Sequence, residues 1–268
     1  ICGCARSCEI FLDKVFLNIH NISELYKDFV IIIAYDVSSD NTLDKLLEYQ
    51  SKYGETKMKI LNNKNRLSTT RTENISNARN DILKEIRCLN NPMFTHMIMI
   101  DLDDVCSSPM NMDVLKQTLN RTDWDMISFN REDYYDIWAL SINPYMYSCW
   151  HFYGDTMEYV SIMKKYIEDK LLKLSPDELL ECSSAFNGIA IYKLASFENC
   201  NYSWSLTKNI SLIKYLYPTI IQKNTHLGEH YKNTTIGYNA DCEHRGFHMN
   251  AILLNKARIR ISPLDLFK

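Results

Sequence analysis

One stretch decides how the rest of the chain is interpreted: His96-Met97-Ile98-Met99-Ile100-Asp101-Leu102-Asp103-Asp104-Val105. Its mostly apolar first half is too short for a helix and has polar flanks, so it predicts a buried strand. Three carboxylates follow within four positions. In open α/β sheets the carboxyl ends of the strands are where ligands bind. Crowded carboxylates need a counter-charge, so the segment predicts a divalent metal site, the alternative being a solvated acidic turn.

The composition is that of a globular protein. The chain has 268 residues and a mass of 31.5 kDa, enough for one large domain or one domain with a lobe. A net charge of -3 gives no basic face of the kind that nucleic-acid binding requires. The sequence shows no signal peptide and no apolar run near the roughly 20 residues of a membrane span. Because the chain starts at Ile1, we expect either a cytoplasmic protein or a domain of a larger or membrane-associated one.

The nine cysteines are an odd number and include no paired Cys-x-x-Cys knuckle. Structural zinc is therefore not indicated, and reduced thiols in a cytosolic setting are expected.

Strand and helix patterns alternate through the first half of the chain. Short β-rich runs predict strands at 1–5, 29–34, 58–61, 97–100 and 125–129. Apolar residues at helical spacing lie between them, starting near residues 8, 43 and 75. Helices between strands imply right-handed parallel crossovers, so we expect an α/β/α sandwich with a mostly parallel central sheet. After residue 130 the pattern is less regular, with a helix at 157–174, a strand at 186–192 and no clear period beyond.

A nucleotide site is predicted at the ends of these strands. The chain has seven glycines and neither a Gly-x-Gly-x-x-Gly nor a Walker motif, so side chains must hold any nucleotide. Asp36 closes the second strand, where it can accept from a base N–H or a ribose hydroxyl, or simply cap the turn. Arg6, Arg71 and Arg79 lie near the same edge and suit a diphosphate, because the guanidinium forks onto phosphate oxygens. The alternative for each arginine is ordinary helix surface.

Three segments resemble the family 2-type glycosyltransferases. Residues 35–42 (YDVSSDNT) are similar to their Asp-x-Ser-x-Asp-x-Thr turn, 74–80 (NISNARN) to their Ala-Arg-Asn segment, and 101–104 (DLDD) to their Asp-x-Asp-Asp motif. The order matches, as do the spacings between the segments. The resemblance covers about the first 130 residues.

The resemblance implies a GT-A fold, a nucleotide-sugar donor and Mn²⁺ or Mg²⁺ as cofactor. A UDP-sugar is favoured over a GDP-sugar only because it is commoner among such enzymes. Asp103 and Asp104 are expected nearest the metal, while Asp101 braces the turn. Residues 1–130 would form the nucleotide-sugar-binding half and 131–268 the acceptor-binding half of the same domain. The predicted nucleotide-binding residues are Ala5, Arg6, Asp36, Arg71, Arg79, Asp101 and Leu102.

The second half carries a predicted acceptor site for a glycan or protein hydroxyl. Residues 133–140 (DYYDIWAL) mix carboxylates with aromatic rings and resemble a stretch of fungal capsular mannosyltransferase-like enzymes. Such a mixture suits sugar binding, and a buried aromatic cluster is the alternative. Residues 183–188 resemble the acceptor-side wall of these enzymes, where a glycine permits close backbone approach. The predicted acceptor-binding residues are Tyr135, Trp138, Asn187 and Gly188.

A third metal ligand and a catalytic base are the least defined parts of the prediction. His244 is the candidate ligand and His248 the second choice, and Gly246 between them favours a loop over a helix. An inverting enzyme needs a carboxylate base to deprotonate the acceptor hydroxyl. Asp136 and Glu181 are the candidates, and a retaining enzyme would need neither.

Two other functions fit parts of the pattern. In a haloacid-dehalogenase-type phosphatase Asp101 would be the nucleophile and Asp103 the acid, but that motif normally opens its domain. A non-catalytic glycan-binding protein of the same fold is the other alternative. The sequence favours a metal-dependent glycosyltransferase.

Overall fold

The structure is a computed structural model that describes residues 1–63, 68–152, 155–223 and 240–267. The chain forms two compact units. Unit 1 comprises Ile1–Arg121, Gly188–Ala195 and Leu266–Lys268, and unit 2 comprises Thr122–Asn187 and Ser196–Asp265.

The described residues hold eight strands and eight helices. The strands are β1 (Cys2–Ala5), β2 (Ile31–Asp36), β3 (Met58–Asn63), β4 (His96–Ile100), β5 (Met126–Asn130), β6 (Leu180–Glu181), β7 (Ile189–Lys193) and β8 (Ile259–Asp265). The helices are α1 (Glu9–Ser23), α2 (Thr42–Tyr53), α3 (Arg71–Leu89), α4 (Met112–Leu119), α5 (Thr156–Leu171), α6 (Leu206–Leu216), α7 (Pro218–Lys223) and α8 (Glu243–Asn255).

Unit 1 is an α/β structure with a mostly parallel sheet, as the sequence predicts. Its strand order is β3-β2-β1-β4-β7. The first four strands are parallel, and only β7 runs antiparallel to its neighbour β4. β2 and β4 are almost wholly buried, which explains why both read as uninterrupted apolar runs.

The strand order reverses between β1 and β4. The chain proceeds outward from β1 through β2 to β3 and then returns to place β4 on the other side of β1. Because parallel crossovers are right-handed, this return puts α3 on the opposite face of the sheet from α1 and α2. Such a reversal is the point at which open α/β sheets hold ligands at their carboxyl edge.

Gly3 lets β1 approach the segment that follows β4. A Cβ atom at this position would lie 2.7 Å from the Ile100 carbonyl oxygen and 2.9 Å from Leu102 Cγ. Leu102 is 2 % exposed, so its side chain fills the space that the glycine leaves. The start of the acidic segment is thereby packed directly onto the first strand.

Unit 2 is less regular, as predicted, but it contains elements that the sequence pattern did not indicate. β5 pairs in parallel with β8, and β6 pairs with β8 antiparallel. The sequence shows no clear period beyond residue 192, yet α6, α7, α8 and β8 all lie there. In α8 every residue from Glu243 to Met249 is buried. A helix that buries polar and apolar residues all round shows no amphipathic stripe for the sequence to reveal.

The expected loop around Gly246 is also wrong, because Gly246 lies inside α8. A Cβ atom there would lie 2.5 Å from Asn209 Oδ1 and 2.9 Å from Ser203 Cβ. The glycine therefore provides close packing against α6 and the segment before it, and does not end the helix.

Two further observations concern the whole described chain. All nine cysteines lie within it, and none forms a disulfide. None of its helices is both long and apolar enough to cross a membrane.

Replacing Gly3 by Ala tests the packing of β1. We expect Gly3→Ala to lower the free energy of unfolding by about 1–3 kcal/mol, because the added methyl meets a backbone oxygen that cannot move aside cheaply. Urea denaturation followed by circular dichroism measures the change. As a control, Ile10→Ala removes a side chain that is 79 % exposed and should stay within about 0.5 kcal/mol of wild type. An equally small effect of Gly3→Ala would contradict the close approach.

Candidate functional site

At the carboxyl edge of unit 1, the ends of β1 and β2 are joined by polar contacts. Arg6 follows β1, and its Nε lies 3.7 Å from Oδ2 of Asp36, the last residue of β2. The Ser38 hydroxyl donates to the Asp36 carbonyl at 3.0 Å and accepts from the Ser7 N–H at 2.9 Å. Asp36 Oδ1 accepts from its neighbouring backbone N–H at 2.9 Å. Half of the Arg6 side chain stays exposed, so it can reach a bound group.

The turn before α2 is fixed by Asp40. Asp40 Oδ1 accepts from the Thr42 N–H at 3.1 Å and from its hydroxyl at 2.6 Å. Asp40 Oδ2 accepts from the Glu9 N–H at 3.1 Å, in the first turn of α1. The Thr42 hydroxyl in turn accepts from the Cys8 N–H at 2.9 Å. The N-termini of two helices are thereby tied together beside Asp36.

The acidic turn, residues Asp101 to Asp104, follows β4 at the same edge. Asp101 donates its N–H to the Gly188 carbonyl at 2.8 Å, and its Oδ1 lies 3.5 Å from Arg79 Nη2. Arg79 is nearly fully buried, so this pairing neutralises a charge inside unit 1. Asp103 Oδ1 accepts from the Val105 N–H at 3.3 Å and caps the short 3₁₀ helix Asp104–Cys106.

Asp103 and Asp104 form the electrostatic centre of the turn. Burial raises the pKa of Asp103 above its ordinary value of 3.8, and repulsion from Asp104 raises that pKa further. The Val105 N–H bond and the positive charge of Arg71 oppose the shift without cancelling it. A cation at this turn would relieve the repulsion between the two carboxylates.

Two adjacent carboxylates are the donor set of a particular kind of metal site. Mg²⁺ is usually bound by one or two carboxylates, with waters and substrate phosphates completing the shell. In the part of the chain that the structure describes, no group of three or more His, Cys, Asp or Glu residues could hold a metal ion. Asp103 and Asp104 fit a cation that is shared with a phosphate-bearing ligand.

Two other predicted nucleotide-binding residues, Ala5 and Arg71, also belong to unit 1. Ala5 is the buried last residue of β1, and Arg71 is the exposed first residue of α3. Gly188, which was predicted to allow close backbone approach, contacts the acidic turn through its carbonyl, which also accepts from Cys106 Sγ at 3.2 Å. Gly188 has a φ of +91°, a conformation that suits glycine.

In unit 2, Asn187 fixes the start of the predicted acceptor segment. Its Oδ1 accepts from the N–H groups of Tyr135 and Asp136 at 2.9 and 3.1 Å, and its Nδ2 donates to the Phe129 carbonyl at 2.9 Å. The predicted acceptor-binding role of Asn187 remains a prediction, and its observed contacts are with the backbone. Asp136 is buried and accepts from the Ala139 N–H at 3.1 Å.

Two tryptophans of this segment contact each other. The ring centroids of Trp138 and Trp150 lie 4.4 Å apart with an interplanar angle of 34°. Both residues are partly exposed, and Tyr135 is 44 % exposed. We call Trp138 and Trp150 the tryptophan pair.

The second candidate base, Glu181, has different surroundings from Asp136. It lies on β6 with 81 % of its side chain exposed, and its Oε2 is 3.5 Å from Arg260 Nη2. The structure thus describes one buried and one solvent-exposed carboxylate for the same predicted role.

His244 lies in the first turn of α8, in unit 2, and is 1 % exposed. Its ring stacks on Phe186 with centroids 3.9 Å apart and meets the Tyr202 ring edge-on at 5.5 Å. His248 lies one turn later, and its Nδ1 forms a hydrogen bond of 3.0 Å with the Ser184 hydroxyl oxygen. The metal-ligand role of His244 remains a prediction.

Sequence reasoning missed the most heavily bonded charged group of unit 2. Arg245 is fully buried and pairs with Asp241, its Nε lying 3.2 and 3.0 Å from the two carboxylate oxygens. The only signal for this pair in the sequence is the spacing of four between opposite charges, which on its own is typical of a solvated helix face.

Comparison with known proteins gives no match to a family model and none to a curated protein. Solved structures that match include residues 1–349 of TarS from S. aureus, with a TM-score of 0.45, 14 % identity and 99 % of this chain covered. A mannosyltransferase, PcManGT from Pyrobaculum calidifontis in complex with GDP-Man and Mn²⁺, matches with a TM-score of 0.42 and 10 % identity over 97 % of this chain. Mouse xyloside xylosyltransferase 1, in its apo form, matches with a TM-score of 0.36 and 10 % identity over 97 %.

This chain spans 58 % and 55 % of the length of the first two of those chains and 83 % of the third. At these identities the alignments transfer no residue role, and the function is inferred from the residues of this chain.

The raised pKa of Asp103 has a consequence for stability. A carboxyl whose pKa is higher in the folded than in the unfolded chain destabilises the fold wherever it is ionised. We therefore expect Asp103→Asn, which keeps the Oδ1 acceptor, to raise the free energy of unfolding at neutral pH. That gain should shrink as pH falls through the raised pKa and vanish below 3.8.

Urea unfolding at a series of pH values without divalent metal measures this effect. Asp13→Asn is the control of opposite sign, because a hydrogen bond from Lys45 lowers the pKa of Asp13 and its loss should cost stability at neutral pH. A destabilised Asp103→Asn variant at neutral pH would contradict the assignment of repulsion at the acidic turn.

Proposed function

We propose that this chain is a metal-dependent glycosyltransferase. It transfers a sugar from a nucleotide-sugar donor, a UDP-sugar being favoured and a GDP-sugar possible, to a hydroxyl of a glycan or protein acceptor. The observation that carries the proposal is the gathering of Arg6, Asp36 and the acidic turn at the edge where the strand order reverses. That edge is where α/β sheets bind nucleotides, and Asp36 and the acidic turn lie in segments that resemble family 2-type glycosyltransferases.

Asp36 is the proposed contact to the nucleoside. Its backbone and one carboxylate oxygen are already held in place, so the remaining acceptor positions of the carboxylate are fixed toward a ligand. A base N–H or a ribose hydroxyl can donate to it. Arg6, half exposed beside it, adds a positive charge for the phosphates.

The acidic turn supplies the site for the diphosphate. Asp103 and Asp104 would hold Mn²⁺ or Mg²⁺, which when bound stabilises the charge that develops on the diphosphate leaving group. Arg79 and the Gly188 carbonyl fix Asp101 and so set the position of the two carboxylates. Arg71, exposed at the start of α3, contributes positive charge near Asp103.

The acceptor is assigned to the segment around Asp136. Aromatic rings of Tyr135 and Trp138 suit the C–H faces of a sugar, and a carboxylate suits its hydroxyls. In an inverting reaction Asp136 takes the proton of the attacking hydroxyl, and Glu181 is the second choice. Asp136 is favoured because it is buried and held by a backbone N–H, so it is better oriented than the exposed Glu181.

The donor site is tested by thermal-shift measurements with a panel of UDP- and GDP-sugars, each with and without Mn²⁺. We expect one donor to raise the melting temperature only when metal is present, and Asp103→Ala to abolish that rise. Asp13→Ala is the control, because Asp13 is an exposed aspartate of the same unit that pairs with Lys45 away from the acidic turn. Unchanged donor binding by Asp103→Ala would contradict the metal assignment.

Phosphatase activity is the alternative outcome. If the protein hydrolyses p-nitrophenyl phosphate and Asp101→Asn abolishes that hydrolysis, the protein is a haloacid-dehalogenase-type phosphatase and the transferase proposal fails. A protein that binds no donor and shows no phosphatase activity would instead be a non-catalytic glycan-binding protein.

The catalytic base is tested by comparing Asp136→Asn with Glu181→Gln. With the donor found above, we expect Asp136→Asn to lower kcat by about 10²–10⁴-fold, the usual contribution of a general base, while the donor affinity stays at the wild-type level. Transfer rates over a range of pH, measured by nucleotide release, give the comparison. A similar loss in Glu181→Gln alone would reassign the role, and full activity in both would indicate a retaining reaction.

A further inference from the structure

Unit 2 buries a complete ion pair, which is costly for a protein. Arg245 is 0 % and Asp241 1 % exposed. Taking two charges out of water costs several kcal/mol for each ion, and apolar residues of similar size often stabilise a fold equally well. The pair therefore needs an explanation other than stability.

The remaining donors of Arg245 show what the ion pair holds. Its Nη2 donates to the Trp138 carbonyl at 2.6 Å, and its Nη1 donates to the Leu140 carbonyl at 3.0 Å and to the Ser141 hydroxyl. These three residues lie outside the helices and strands of unit 2. The Trp138 and Leu140 carbonyls lie outside any strand, so the guanidinium provides the hydrogen bonds that a sheet would otherwise supply to them.

The segment of the other tryptophan is bonded to the residue that precedes Asp241. Trp150 lies in the 3₁₀ helix Cys149–His151. The next residue, His151, is buried with its Nδ1 3.9 Å from Asp241 Oδ1 and its Nε2 3.1 Å from the Ala240 carbonyl. Trp138 is thus held through its own carbonyl and Trp150 through its neighbour.

We infer that the buried Asp241–Arg245 pair is a positioning device that fixes Trp138 and Trp150 as a stacking platform for the acceptor sugar. This inference rests on the proposed function, and it adds Trp150 to the predicted acceptor site. Arg245 holds the backbone at Trp138, and Asp241 fixes the Arg245 guanidinium through both of its carboxylate oxygens. Trp150 is held beside it through the bond between His151 and Ala240, the residue before Asp241. Asn187 fixes the preceding residues, Tyr135 and Asp136, so the segment is held at both ends.

The test separates the position of the rings from stability. In the double variant Asp241→Leu with Arg245→Met, apolar residues replace the pair, and cooperative unfolding should survive. We expect the near-ultraviolet circular dichroism couplet of the tryptophan pair to disappear. Tryptophan fluorescence titrations with methyl glycosides of mannose, glucose and galactose should show affinity reduced about tenfold, the scale of one lost stacking contact. Trp150→Ala should lose affinity to a similar degree.

Arg258→Met is the control, since Arg258 forms another ion pair of unit 2, with Asp125, and should keep the glycoside affinity of wild type. Should the double variant fail to fold, Arg245→Lys takes its place in the same assays, because it keeps the charge and loses the fork. A folded variant with the wild-type couplet and affinity overturns the inference, as does a Trp150→Ala variant with unchanged affinity.

The outcome is distinguishable from that of the proposed function. Glycoside binding that depends on Arg245 and Trp150, in a protein that binds no nucleotide-sugar, supports the platform and refutes the transferase. A wild-type protein whose fluorescence responds to none of the glycosides overturns the platform, whatever the donor panel shows.

Discussion

The structure of unit 1 depends on how closely β1 can approach the chain that leaves β4. Gly3 makes that approach possible, because any side chain there would meet the Ile100 carbonyl and Leu102. With the gap closed, Leu102 is buried, while Asp101 and Asp103 on either side of it are only partly covered. A steric constraint on one residue of β1 therefore sets the position of the acidic turn.

The charges at this edge are arranged in two kinds of pairs. Two of the pairs join opposite charges, Arg6 with Asp36 and Arg79 with Asp101. In each pair the two charges neutralise one another within unit 1. Asp103 and Asp104 are like charges, and the pKa of Asp103 is raised first by burial and further by the proximity of Asp104. A fold keeps such a cost where a ligand removes it, since strained or repulsive groups concentrate at functional sites. The two ion pairs hold the surrounding backbone in place, and the two adjacent carboxylates of Asp103 and Asp104 define where a cation would bind.

In unit 2, buried polar side chains provide hydrogen bonds to irregular backbone. Residues 131–152 are largely irregular, and irregular backbone needs hydrogen-bond partners when it is buried. Asn187, Arg245 and Asp136 supply those partners from side chains. This use of buried polar groups explains why α8 is polar and buried at once, and why its glycine serves packing and not helix termination.

The sequence by itself predicted the first four strands of unit 1 and the helices between them, but not α4. The short uninterrupted apolar runs of β2 and β4 predict buried strands, and residues that follow parallel strands lie at one edge of the sheet. The position of Arg6, Asp36 and the acidic turn at that edge therefore followed from the order of the elements. Helical periodicity likewise located α1 and α3. Local pattern carries this information because each element buries one continuous surface.

Only the tertiary structure decided the rest, because the contacts involved join residues far apart in the chain. The closure of β1 on Leu102, the antiparallel return of β7 beside β4, and the carbonyl of Gly188 against Asp101 leave no trace in spacing. The same holds for Arg245, whose partners Trp138 and Leu140 lie more than 100 positions away. A charge four residues from its counter-charge looks like helix surface in the sequence, and only the surrounding fold shows that it is buried and what it holds.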